Sequence, residues 1–173
     1  MNAAANKSKP EVPSTPVIPA PSIRILKIGS CPSLSGQSTL TYHIGCNEQS
    51  ELFFRVYANS SSGYFSREWV SLVAIQEVFA KVPADGAITS FLMRGLFIGK
   101  STNTPGFVFA AMLAESLVQP SSIVERCYEC ADGKEFFTAI QMLMDSEVNL
   151  DADDKPKKPL KKKSASEAAP LPA

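Results

Sequence analysis

The spacing of hydrophobic and polar positions changes period along the chain. Ser22–Gly29 (SIRILKIG) is short, rich in β-branched residues and bounded by Pro21 and Gly29, which reads as a strand. Cys31–Ser38 (CPSLSGQS) has turn chemistry. Thr39–Cys46 (TLTYHIGC) alternates, with Leu40, Tyr42, Ile44 and Cys46 on one face and Thr41 and His43 on the other. Glu51–Ala58 (ELFFRVYA) alternates again: Leu52, Phe54, Val56 and Ala58 face one way, and Phe53, Arg55 and Tyr57 the other. Short connections between these runs predict a three-stranded antiparallel meander.

After the loop Asn59–Tyr64 the period becomes helical. Ser66 is in N-cap position with Glu68 in the first turn, and Trp69, Leu72, Val73, Ile75, Val78, Phe79 and Val82 recur at helical spacing until Pro83. Thr89 or Ser90 can cap a second, shorter helix through Phe91, Leu92, Leu96 and Phe97. Thr104-Pro105 starts a third that runs to about Val118. Ile123–Cys130 (IVERCYEC) alternates like a strand, and Asp132-Gly133-Lys134-Glu135 has the spacing of a capping box. That box opens a last helix with Phe136, Ile140, Leu143 and Met144 on one stripe. The order is βββ–ααα–β–α, an α+β class and not a doubly wound parallel sheet.

The ends differ from this body. Residues 1–21 carry prolines at 10, 13, 16, 19 and 21 among small residues, which reads as a disordered leader. It lacks the apolar core of a signal peptide, and the longest apolar run of the chain, Phe107–Ala114, is too short for a membrane span. Residues 151–173 are poor in core-forming side chains and hold a second tail, with Lys155, Lys157, Lys158, Lys161, Lys162 and Lys163 interrupted by Pro156 and Pro159. Between the tails, residues 22–150 suffice for one domain with its own core.

Charge changes the picture only when it is partitioned. The 173 residues carry 17 basic and 17 acidic side chains. Residues 22–150 hold 9 of the basic and 12 of the acidic ones, a net of −3; residues 1–21 contribute +1 and residues 151–173 +2. The lysine cluster is therefore the clearest electrostatic feature, suited to a phosphate backbone or another anionic surface. It would serve for nuclear import only in a nucleated cell.

Candidate chemistry is sparse. Gly29–Thr39 fails as a phosphate loop: Gln37 stands where lysine is required, Cys31 where the first glycine is, and a strand follows in place of a helix. Cys127-x-x-Cys130 is one close pair where structural zinc wants four ligands, and on a strand the two side chains would diverge. With no secretion signal, the four cysteines are expected as free thiols in a reducing, cytoplasmic setting. His43, the only histidine, could form a dyad with Cys31, but no local motif supports it. The expectation is a non-enzymatic protein with no cofactor and no metal.

Two surfaces suit nucleic acid. Residues 66–130 have the linear order of a winged helix-turn-helix, and no acid occurs between Asp85 and Glu115. Arg94, Lys100, Thr102 and Asn103 around its turn, with Lys157, Lys158, Lys161, Lys162 and Lys163, are the expected contacts. Against this, Phe107–Ala114 is apolar all round and reads as buried in a core or in a dimer or partner interface. The second surface is the Thr41, His43, Phe53, Arg55, Tyr57 face, able to stack bases unless a helix covers it, which is the simpler expectation. The leading reading is a small nucleic-acid-binding, DNA-binding or regulatory protein. The alternative is a protein-interaction adaptor or dimerising accessory protein.

Overall fold

The computed structural model describes residues 22–83 and 86–152. The Pro-rich leader and the lysines at 155–163 lie outside them. Strands β1 (Arg24–Pro32), β2 (Thr39–Cys46), β3 (Leu52–Asn59) and β4 (Val70–Ser71) form one antiparallel sheet in chain order. Helix α1 (Leu72–Phe79), a 3₁₀ helix (Ser90–Phe97) and α2 (Thr104–Ala114) follow. A hairpin of β5 (Val118–Pro120) and β6 (Tyr128–Cys130) precedes α3 (Lys134–Asp145). The fold is mixed α+β, with the meander lengthened by one short strand.

The core lies on one face of the sheet. Leu40, Tyr42, Ile44 and Cys46 of β2 and Leu52, Phe54 and Val56 of β3 join it, as their alternation requires. Ile75 and Phe79 of α1, Met93 and Phe97 of the 3₁₀ helix, and Phe136 and Ile140 of α3 pack onto the same cluster. At its centre is α2, where Val108, Phe109, Ala110, Ala111 and Met112 are all buried. Phe109 meets Phe79 and Tyr128 edge-on, with ring centroids 6.1 and 4.9 Å away.

Burial of α2 agrees with the core reading of Phe107–Ala114 and bears on two other sequence expectations. A recognition helix must present polar side chains to base edges, whereas α2 gives its middle to the core, and the element before it is a 3₁₀ helix. The middle of α2 is therefore not presented to a groove. Nor does the run Phe107–Ala114 offer a broad surface for a homodimer or partner.

Local boundaries moved for tertiary reasons. Ser66 does not cap α1. Residues 66–69 lie outside any helix or strand, and Ser71 Oγ accepts from the amide of Ala74 at the start of a helix that ends at Phe79. The strand expected over 123–130 survives only as Tyr128–Cys130, while Val118–Pro120, expected as the end of α2, pairs with it. At α3 the cap is Gly133, in the left-handed conformation (φ 61°), with Asp132 Oδ1 accepting from Lys134 N one position earlier than a capping box has it.

Strand β1 carries a bulge. Its register on β2 shifts between Ile25 and Lys27, so Arg24 opposes Cys46, Ile25 opposes Gly45 and Lys27 opposes Ile44. Arg24 thereby faces the helical side and donates to the carbonyls of Met144 and Val148 at the C-terminal end of α3, at 2.8 and 3.0 Å. The amide of Leu150 donates to Ile25 O, and Ile25 N donates to Asn149 Oδ1.

One polar cluster is built into the core side. Glu115, immediately after α2, is buried; Oε1 accepts from Tyr42 OH at 2.5 Å and Oε2 from Lys27 Nζ at 2.7 Å. The Tyr42 ring lies against Gly29, its cross-strand partner, so closely that even a Cβ there would clash with it. Burial raises the Tyr42 hydroxyl far above its ordinary value, and the charge of Glu115 adds to this. Burial, with Glu115 adding, also pushes the nearby Cys31 thiol up to about 11 from its ordinary 9.0.

A thiol held protonated in the native state makes stability fall once the unfolded thiol ionises. Between the ordinary value and about 11, the native state binds the extra proton. Stability is therefore full below pH 9 and declines up to the folded value, by about 2 to 3 kcal/mol from Cys31 alone. Denaturant titrations across this range should show a shallower decline in Cys31→Ala, with a residue from Tyr42. Identical pH slopes for the two proteins would contradict it.

Candidate nucleic-acid interface

The sheet face opposite the core carries the candidate site. Cross-strand partners share a face, so Ile25 with Gly45, Ile28 with His43, and His43 with Arg55 lie together there. The helices expected to cover it pack instead on the core side, and the face is finished by side chains of the sheet and of the irregular segment 64–69. That segment is held by Ser66 N donating to Thr104 Oγ1, by Ser101 Oγ and Asn103 Nδ2 donating to Tyr64 O, and by the Lys100–Glu68 ion pair.

The result is a layer of interleaved cations and rings. The Arg55 guanidinium lies 4.4 Å from the centroid of Trp69 and 5.3 Å from that of Tyr57. Arg67 lies 4.9 Å from Tyr57, and His43 stacks on Tyr57 at 4.5 Å. His43 is wholly buried beneath the layer. Arg55, Tyr57 and Trp69 are half-buried, and Arg67 is exposed.

Arg55 fixes the state of His43. Nε and Nη2 of Arg55 stand 3.2 and 3.1 Å from Nδ1. Arginine is donor only, so Nδ1 accepts and the ring proton resides on Nε2. Burial lowers the Arg55 guanidinium from its ordinary value; Tyr57 opposes that and Arg67 reinforces it. It remains a cation at any ordinary pH.

The Cys31–His43 dyad does not form. Cys31 opposes Leu40 on the core face and His43 faces the other way, so the sheet stands between them. Cys127 is half-buried and Cys130 exposed, both as free thiols. Among the described residues no group of three metal-ligating side chains converges.

Of the contacts expected from sequence, Arg94, Thr102 and Asn103 do come together. They line a shallow pocket of about 270 Å³ at the first turn of α2, with Ser33, Ser35 and Ser90. Arg94 lies over the ring of Phe91, 4.1 Å from its centroid. Lys100 points away from this pocket to Glu68. Lys157, Lys158, Lys161, Lys162 and Lys163 lie outside the described residues.

Sequence reasoning missed Arg67 and Trp69, which it placed on or beside a helix. Their signal was tertiary: both lie on chain outside any helix, held against Tyr57 and Arg55. No described helix is long and apolar enough to cross a membrane. No family model, curated protein or solved structure matches this chain.

Proposed function

We propose that the protein binds single-stranded nucleic acid across the helix-free face of its sheet, without catalysing a reaction. The observation that carries this reading is the interleaving of Arg55 and Arg67 with Tyr57 and Trp69. Aromatic rings provide stacking platforms for unpaired bases, and guanidinium groups pair with phosphates or stack in their turn. The layer is preassembled, so a bound base exchanges one stacking partner for another and does not have to order loose side chains. Arg94, Thr102 and Asn103, linked to the face through segment 64–69, would extend the path. The lysines at 157–163 would add attraction that is independent of sequence.

A body of net −3 argues against gripping duplex DNA by charge alone, which favours the stacking surface over the winged-helix reading. Trp69, the single tryptophan, sits in the layer and reports on it directly. Titrating the full chain with a fluorescein-free oligonucleotide of about 15 nucleotides should quench its emission with a micromolar midpoint at low salt. Arg67→Glu, an exposed reversal, should weaken binding by about tenfold or more. Deleting residues 153–173 should flatten the salt dependence by about 0.7 per lost phosphate contact. Absence of quenching at low salt, or binding that survives Arg67→Glu unchanged, would overturn the assignment to this face.

A further inference from the structure

On the other side of the molecule β1 and α3 do not close against each other. A cavity of about 630 Å³ lies between them, walled by Leu26, Phe136, Ile140, Leu143, Val148 and Leu150. Its size and apolar lining are those of a small-molecule site and not of a packing gap. Its polar contribution comes from one place, where Lys27 and Glu115 reach the lining.

Hydrogen-bond capacity at that end selects the ligand. Each oxygen of Glu115 already accepts a hydrogen bond, one from Tyr42 and one from Lys27. The Lys27 ammonium has three donors and spends one on Glu115, and its side chain is 41 % exposed. The unused donors face an incoming acceptor, while a cationic head would meet the ammonium first.

We infer that this cavity binds a single-chain aliphatic amphiphile, its chain along the β1–α3 wall and an acceptor head, a carboxylate in the simplest case, on Lys27. Ala139, on the exposed side of α3, lines the cavity, so a large side chain there fills the space without disturbing the core.

Calorimetric titration of the full chain with laurate below its micellar range should give one molecule per chain with a micromolar constant. Ala139→Trp should weaken laurate about tenfold or more while the thermal midpoint stays near that of the parent. Lys27→Met should weaken laurate by a similar factor, and dodecylamine should bind the parent at least about tenfold less tightly than laurate. The inference is overturned by an absence of saturable laurate binding, by several laurates per chain, by Ala139→Trp binding like the parent, or by dodecylamine matching laurate. Because this site and the aromatic face lie on opposite sides of the sheet, oligonucleotide quenching of Trp69 proceeds or fails independently.

Discussion

Truncating Phe109 to alanine is expected to destabilise the protein by about 4 kcal/mol. The side chain is wholly buried at the centre of α2 and holds two edge-on ring contacts, with Phe79 from α1 and Tyr128 from the hairpin. Removing it opens a cavity where three elements meet and forfeits both contacts. Collapse to refill it is resisted by the neighbours at Val108 and Met112, themselves buried on the same helix. A domain of this size has about 5 to 15 kcal/mol in all, so the variant should unfold at markedly lower denaturant. Phe109→Leu, which keeps most of the volume, should lose less than half as much. A loss near 1 kcal/mol for the alanine variant, small for a buried aromatic, would show that α2 is not the centre of the core.

Glu115→Ala is expected to cost about 3 kcal/mol for a different reason. It strands the Tyr42 hydroxyl in the interior and leaves Lys27 without its partner. The loss is mainly that of an orphaned polar group, so it should shrink when the orphan is removed too. Tyr42→Phe alone is expected to cost about 1 kcal/mol. The double variant should cost less than the two added together by about 1 kcal/mol or more, which equilibrium unfolding of the four proteins measures. Strict additivity would mean that the hydroxyl and carboxylate do not depend on each other. Glu115→Gln, which keeps an acceptor for Tyr42, should fall between parent and alanine.

Much of the architecture follows from local pattern because the pattern and the packing agree. The alternation of Leu52, Phe54 and Val56 with Phe53 and Arg55 sorts most of β3 onto its two faces as read, but a register shift at Tyr57 sets Ala58, expected on the core face, opposite Thr41. The all-round apolar run Phe107–Ala114 marks a buried helix, and it is one. What stayed hidden is where distant chain overrides a local signal. Ser66 and Glu68 look like a helix start, yet residues 66–69 are held out of the helix by Thr104, Lys100 and Tyr57. The aromatic layer depends on that override, so it was legible only from its sheet half. Glu115 left one trace: it is the first acid after Asp85 and closes an otherwise apolar helix, a place where a carboxylate needs partners. The bulge in β1 left none, since an extra strand residue of apolar type looks like any other.

That extra residue decides more than register. Leu26 throws the pleat out of phase, so that Arg24 and Ile25 exchange the sides a regular strand would give them. Only in this phase can Arg24 reach the carbonyls of Met144 and Val148, and the tail of α3 hangs on those bonds and on Ile25. Helix α3 with residues 146–150 is thus a leaf hinged at its far end to one offset in a strand. In native-state hydrogen exchange the leaf should open as a unit, below the global unfolding energy and ahead of β2 and β3. Deleting Leu26 would make the strand regular with Arg24 and Ile25 still opposite Cys46 and Gly45, so the leaf would keep its fastening and the loss would be that of the buried Leu26 side chain.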